Sequence, residues 1–214
     1  MDQAVKMDRM YRLQRHVYDL TRHCYLLGRD RLLRSLPAAP RGTVLEMGCG
    51  TGRNLIRLSR MRPDLVLCGV DASEAMLCTA RDKTRRAGIC ARLACRLAED
   101  FDQGRDLGLS GGFDVVYFSY VLSMIPEPAA ALEAAWKLVR PGGALCVVDF
   151  GDFAGLPAWF GRLLTGWLGL FAVRPKPELP GLPARLAGDG GGQLTREDHR
   201  GGYAVLFWLR KPAA

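Results

Sequence analysis

The chain has 214 residues, 49% of them hydrophobic and 24% charged, enough to bury one substantial core and too apolar for a disordered chain. Its 30 Lys and Arg against 22 Asp and Glu give a net charge of +8, which suits nucleic acid, an anionic membrane surface or an acidic substrate, and equally a plain basic surface. No apolar run reaches the roughly 18–20 residues of a bilayer span and the N-terminus lacks the apolar stretch of a secretory signal; the expected location is the cytoplasm, with at most peripheral contact at the inner face of the membrane.

In chain order, residues 8–35 read as one helix, ended by the turn Pro37-Ala38-Ala39-Pro40. A strand over 43–47, a glycine loop and a helix from about Gly52 follow. Residues 65–70 form an apolar strand reaching Asp71. Ser73 suits the N-cap of a helix over 74–86, closed by Gly88. Residues 90–97 and 113–119 read as the third and fourth strands. A helix over 129–139 is stopped by Arg140-Pro141-Gly142-Gly143, and 144–150 is the fifth strand. This alternation predicts an α/β fold with a mainly parallel sheet covered on both faces. Beyond it come an apolar, Trp-bearing segment at 155–172, a Pro-rich connection and a flexible patch at 188–192. Strand-like runs at 194–199 and 203–210 suit an antiparallel hairpin at a sheet edge. The expected division is a helical lid at 1–36 and a cofactor-binding core at 37–214. The 7 cysteines and 3 histidines contain no C-x-x-C pair and complete no zinc pattern, so the cysteines read as reduced and no metal is expected.

Ligands of an open parallel sheet bind beyond the carboxyl ends of its strands. The first such loop is Glu46-Met47-Gly48-Cys49-Gly50-Thr51-Gly52. Its glycines allow a tight turn and close approach of a ligand to the backbone. Asp71, at the end of the second strand, can accept from both hydroxyls of a free ribose. The dinucleotide fingerprint is G-x-G-x-x-G, which sets a pyrophosphate on a helix N-terminus. Here the spacing is G-x-G-x-G behind an acid. Glu46 would repel a pyrophosphate and suits a zwitterionic methionyl group, so the residues point to S-adenosylmethionine. A bare glycine turn would need neither acid.

Four segments, residues 44–52, Val70-Asp71-Ala72-Ser73-Glu74-Ala75-Met76, Phe113-Asp114-Val115-Val116 and 138–143, together resemble the successive motifs of class I S-adenosylmethionine-dependent methyltransferases. The resemblance implies a Rossmann-like, seven-stranded sheet flanked by helices, with its last strand antiparallel. It implies that Glu46, Gly48, Cys49, Gly50, Gly52, Asn54 and Asp71 hold the cofactor. Ala72, Met76, Ala98 and Glu99 would border the adenine, and Ser119 and Tyr120 the methyl-donor end. For Met76, plain helix packing is an equal reading.

In the first helix Leu13, Val17, Leu20, Cys24 and Leu27 make one apolar stripe. Tyr11, Arg15, Tyr18, Arg22, Tyr25 and Arg29 make a second, roughly 160° away. The rings could simply pack on their neighbouring arginines. Alternatively the helix lies across the cleft, with arginines for carboxylate or phosphate and tyrosines around a methylated ammonium. The run Tyr18-Asp19-Leu20-Thr21-Arg22-His23-Cys24-Tyr25-Leu26-Leu27-Gly28-Arg29-Asp30, continuing to Asn54, is similar to the betaine-lipid N-methyltransferases. Those enzymes methylate diacylglyceryl-homoserine three times to give diacylglyceryl-N,N,N-trimethylhomoserine. With the helix across the cleft, Tyr25 and Arg29 are expected at the cofactor, and Tyr11, Arg15, Tyr18, Arg22 and Tyr120 at the substrate; the resemblance is looser over the last third, so Trp159 is expected at the substrate only from its apolar segment. The resemblance leaves open, as partners, a second copy of the chain or the enzyme that makes diacylglyceryl-homoserine.

The 155–172 segment, with Trp159, Trp167 and Arg162, suits a membrane interface or a core helix equally. A methyl transfer by in-line displacement yields S-adenosylhomocysteine and depends mainly on alignment. The attacking amine must be neutral, and no dedicated base stands out; Tyr120, His16 and His23 are candidates, with solvent as the other choice. Competing readings are methylation of phosphatidylethanolamine or a quinone precursor, and a non-catalytic cofactor-binding subunit. Nucleic acid is not an expected partner, since Ser119-Tyr120-Val121-Leu122 stands where an N-P-P-Y-like motif would follow the fourth strand.

Overall fold

The computed structural model describes residues 26–157 and 179–213, with Trp159, Leu163, Leu164 and Gly166 between them. Within these, α1 (Arg29–Arg34) leads to β1 (Thr43–Met47), α2 (Arg53–Met61), β2 (Val66–Asp71), α3 (Glu74–Arg86) and β3 (Ala91–Cys95). Then come α4 (Gln103–Leu107), β4 (Phe113–Ser119), α5 (Pro128–Leu138), β5 (Val139–Phe150), α6 (Leu182–Gly190), β6 (Gln193–His199) and β7 (Ala204–Arg210).

The seven strands form one sheet in the order β3-β2-β1-β4-β5-β7-β6. The first five are mutually parallel, and β7 runs antiparallel to both β5 and β6. Strand order reverses direction between β1 and β4, so their carboxyl ends open the crevice in which such sheets bind ligands. The expected α/β architecture, with its antiparallel last strand and edge hairpin, is the one observed.

Apolar runs in β1, β4 and β5 leave those strands buried on both faces, which is why they read as continuous hydrophobic segments. One face packs Leu32, Leu33 and Leu36 with Leu55, Leu58 and Leu77. The other is covered by Ala131, Leu132, Ala135 and Trp136 of α5, with Leu179 and Phe101. Ser73 caps α3 as expected, its Oγ accepting from the Met76 amide at 3.3 Å.

Three expectations are corrected. The helix expected over 8–35 does not run through 26–28: Gly28 is left-handed, at φ 82°, and α1 starts after it. The stretch 8–25 lies outside the described residues. The Arg140-Pro141-Gly142-Gly143 stop is already part of β5, which begins at Val139 and shifts register between Phe113 and Val115. Residues 188–190 close α6 rather than forming a flexible patch, and Gly191 ends that helix at φ 63°.

At the end of the central strands away from the crevice, Asp114 joins β1, β4 and β5. It accepts from the Thr43 amide at 2.9 Å, the Thr43 hydroxyl at 3.2 Å and Arg140 Nη2 at 2.6 Å. Burial pushes its carboxyl up, but the Thr43 amide and Arg140 outweigh this and leave its pKa below the ordinary value. The resulting stability is present at neutral pH and is lost as pH falls through that lowered value. Asp114→Asn is expected to destabilise by about 1–3 kcal/mol in urea titrations at pH 7. S-adenosylhomocysteine affinity of the folded variant should not change.

Candidate functional site

The site is built where β1, β2 and β4 end side by side. Gly48 and Cys49 donate their amides to the Val70 carbonyl at 2.7 and 3.0 Å, folding the loop back over β2. Gly48 has φ 74°, and a Cβ there would lie 2.4 Å from Val121 Cγ2, so only glycine lets the turn after β4 come this close. Gly52, at φ 75°, starts α2, and a Cβ on it would lie 3.2 Å from Ala80 of α3.

Asp71 closes the loop from the second strand. One carboxylate oxygen accepts from the Gly50 amide at 2.7 Å and the other from the Ser73 amide at 2.9 Å. Asp71 is half-buried at the end of β2, and a carboxylate accepts from several donors at once, which suits it to ribose hydroxyls.

Glu46 ends its side chain in a dry place. It is 2% exposed, its Oε1 accepts from Asn54 Nδ2 at 2.7 Å, and its Oε2 is buried without a hydrogen bond to any described residue. Its register partner on β4, Tyr117, brings a buried hydroxyl up to the same carboxyl, short of a well-formed hydrogen bond. Burial raises the Glu46 pKa to about 8, against the opposing pull of Asn54, Tyr117 and Arg29. Burial, with Asp71 and Glu46 nearby, also keeps the Cys49 thiol protonated.

Arg29, 8% exposed at the start of α1, donates from Nε to the Leu26 carbonyl at 3.2 Å. Its charge draws the Glu46 carboxyl downward. Ala72 and Ala98 are half-buried after β2 and β3, Met76 is buried on α3, and Glu99 is exposed in the turn after β3. Ser119 ends β4 with its hydroxyl buried. The structure therefore groups Glu46, Gly48, Cys49, Gly50, Gly52, Asn54 and Asp71 around the loop, with Arg29 electrostatically joined to it. Trp159 is 68% exposed. Tyr11, Arg15, Tyr18, Arg22, Tyr25, His16 and His23 lie outside the described residues.

Tyr120 is corrected as a candidate base. It is 2% exposed, its hydroxyl donates to the Leu27 carbonyl, and burial drives its pKa well above the usual phenol value. A neutral phenol already donating to a carbonyl is a poor proton acceptor. The sequence reading missed three residues of this region: Tyr117, Val121 and Asp149. A signal existed for the last, an acid one residue from the carboxyl end of an apolar central strand.

Residues 45–145 match the family model described as a methyltransferase domain. A trans-aconitate 2-methyltransferase of Deinococcus radiodurans is 34% identical over 112 residues, 52% of this chain and 39% of that protein. A demethylmenaquinone methyltransferase of Beutenbergia cavernae is 28% identical over 219 residues, covering 92% of this chain and 87% of the relative. A phosphatidylethanolamine N-methyltransferase of Cereibacter sphaeroides is 29% identical over 140 residues, 62% of this chain and 66% of the relative. Thus the chain spans well under half of the first of these proteins. Among solved structures, the plantazolicin methyltransferase BpumL with S-adenosylhomocysteine superposes with a TM-score of 0.68 at 16% identity, over 98% of this chain and 96% of that one. The sheet order and the glycine loop at its switch point are the fold that this solved methyltransferase shares. Over residues 45–145 this chain matches a methyltransferase domain, and the cofactor such a domain takes is S-adenosylmethionine.

The residues present fit that cofactor. The Glu46 oxygen that makes no well-formed hydrogen bond among the described residues suits an ammonium group, the Gly48–Gly52 backbone leaves room for close approach, and Asp71 suits the ribose. When bound, the cofactor supplies an electrophilic methyl group on a sulfonium. With Glu46 held at a pKa of about 8, the folded chain keeps a proton that the unfolded chain releases near its ordinary value of 4.5. The cofactor-free protein therefore loses stability as pH rises from about 4.5 to 8. Glu46→Gln is expected to raise Tm at pH 8 by a few degrees, about 2–4 °C per kcal/mol, while weakening S-adenosylmethionine about tenfold or more. Calorimetry in buffers of different ionisation enthalpy should find proton release on binding at pH 7 in the native protein and none in the variant. Gly48→Ala, forced against Val121 at positive φ, should cost more than about tenfold in affinity for S-adenosylhomocysteine.

Proposed function

We propose that this protein is an S-adenosylmethionine-dependent N-methyltransferase of a lipid amine. Its substrate would be diacylglyceryl-homoserine and its product, after three transfers, the trimethylated betaine lipid. One observation carries the reading: the Tyr18–Asp30 run, similar to the betaine-lipid N-methyltransferases, contains Arg29, which is buried and electrostatically joined to Glu46. In this reading the stripe Tyr11, Arg15, Tyr18 and Arg22 meets the acceptor. The arginines bind the homoserine carboxylate and the tyrosines surround the ammonium, whose charge persists after full methylation. The glycine loop aligns the methyl donor, and alignment supplies most of the acceleration. The acceptor amine arrives neutral, having given its proton to solvent.

Peripheral contact with a membrane follows from such a substrate. Trp159 and Leu163 are 68% and 66% exposed, and a tryptophan beside leucine suits the boundary between headgroups and acyl chains. No helix among the described residues is long and apolar enough to cross a membrane.

A second reading is favoured by the relatives' names: methylation of phosphatidylethanolamine, or of a quinone precursor. Incubation with methyl-labelled S-adenosylmethionine and vesicles containing diacylglyceryl-homoserine, phosphatidylethanolamine or demethylmenaquinone separates them. Label in the homoserine lipid is the expected result. Label confined to one of the other two replaces the proposal with that substrate. Label in none, from protein that binds S-adenosylhomocysteine, promotes the non-catalytic subunit.

A further inference from the structure

A second carboxyl group is buried at the crevice end of the sheet, and nothing in the preceding account of the cofactor uses it. Asp149, the penultimate residue of β5, is completely buried. One of its oxygens accepts from the Ser123 amide at 3.2 Å and the other from the Phe150 amide at 2.8 Å. The Leu122 amide is also turned toward it.

These amides belong to the place where the β4–β5 ladder stops. The ladder's last link beyond Ser119 is the Tyr120 amide, donating to the Val148 carbonyl at 2.8 Å. Past it the chain turns, and the Met124 and Ile125 amides return to the Val121 carbonyl at 2.9 and 3.2 Å. Inside this turn the amides of residues 122 and 123 have no ladder partner, and a buried amide without an acceptor is costly. A carboxylate with two accepting oxygens answers that need; an apolar side chain would not, and an amide side chain would answer half of it.

The turn touches both halves of the cofactor region. Val121 fills the space in front of Gly48, where a side chain would otherwise stand. Tyr120 holds the Leu27 carbonyl, immediately before left-handed Gly28 and buried Arg29. We propose that Asp149 is a positioning residue for the cofactor loop. By pinning the turn over 120–125 it keeps Val121 on Gly48, and so keeps the loop in the shape that receives the methyl donor. Asp149 itself meets neither cofactor nor acceptor. The proposal concerns cofactor binding alone and is independent of which amine is methylated.

The test uses the full chain with S-adenosylhomocysteine. Asp149→Asn should fold, with the Tm of the native protein within a few degrees, and bind S-adenosylhomocysteine about tenfold more weakly, as expected for a lost charge-assisted hydrogen bond. Its Leu122 and Ser123 amides should exchange with solvent faster, and its Gly48 amide resonance should move, while amides of β2 and β3 keep native exchange. A folded variant with native affinity and an unmoved Gly48 resonance overturns the proposal. So does uniform loss of protection across the sheet, which would make Asp149 a stability residue only. Should Asp149→Asn fail to fold, Val121→Ala tests the second half of the chain of contacts with Asp149 intact. It should weaken S-adenosylhomocysteine severalfold, and native affinity in that variant overturns the proposal equally.

Discussion

The carboxyl group of Glu46 is held at the end of β1, with one oxygen bonded to Asn54 and the other buried beside the Tyr117 hydroxyl without a well-formed hydrogen bond to any described residue. In water such a group would be ionised at neutral pH; here burial keeps it largely protonated up to about pH 8. That arrangement stores a demand for positive charge at the mouth of the crevice. Removing the demand would stabilise the empty protein, because burying ionisable groups without partners costs several kcal/mol. The fold keeps it, and a cation arriving there gains what the empty chain lacks. Arg29 answers only part of the demand, since the carboxyl remains well above its ordinary range with Arg29 present.

The surrounding geometry serves to keep this group dry and the adjacent backbone open. Gly48 and Cys49 bond to Val70, and Gly50 to Asp71, so the loop is shaped by the end of β2. Asp71 therefore has two tasks: it folds the loop and faces the crevice. Its bonds to the Gly50 and Ser73 amides hold its carboxylate plane in one orientation before any ribose arrives, which removes an ordering cost from binding.

Much of this was legible in the sequence, and the reasons are local. Glu46, Asp71 and the intervening glycines are chemically conspicuous: an acid at a strand's end and glycines at fixed spacing have few other uses. Strand ranges came close because apolar runs in β1, β4 and β5 are bounded by polar residues and turn formers. What escaped depended on contacts distant in sequence. Helical periodicity around Gly28 continues unbroken through residues 24–33, yet residues 26–28 are not helical. Tyr120, 93 positions away, takes the Leu27 carbonyl that a continuing helix would need. Gly188, Asp189 and Gly190 have low helix propensity, but α6 runs through them because Pro183 starts it and Gly191 caps it. The acceptor residues rest on resemblance, because neither the loop nor the acids carry information about what is methylated.

Tyr120 shows how these long-range demands meet at one residue. Its φ of 59° is a conformation that a bulky side chain avoids. The ring is fixed edge-on against Phe150 with centroids 4.7 Å apart, and its hydroxyl is taken by Leu27. The two contacts tie the ring to the end of β5 and to the segment just before α1. Left-handed backbone at residue 120 turns the chain so that Val121 stands against Gly48 while the Tyr120 hydroxyl reaches the Leu27 carbonyl. A residue that sequence order placed at the methyl-donor end thus works as a structural joint. The chemistry it seemed suited for belongs instead to the groups it holds in place: the glycine loop in front of it, and Arg29, two positions beyond the carbonyl it binds.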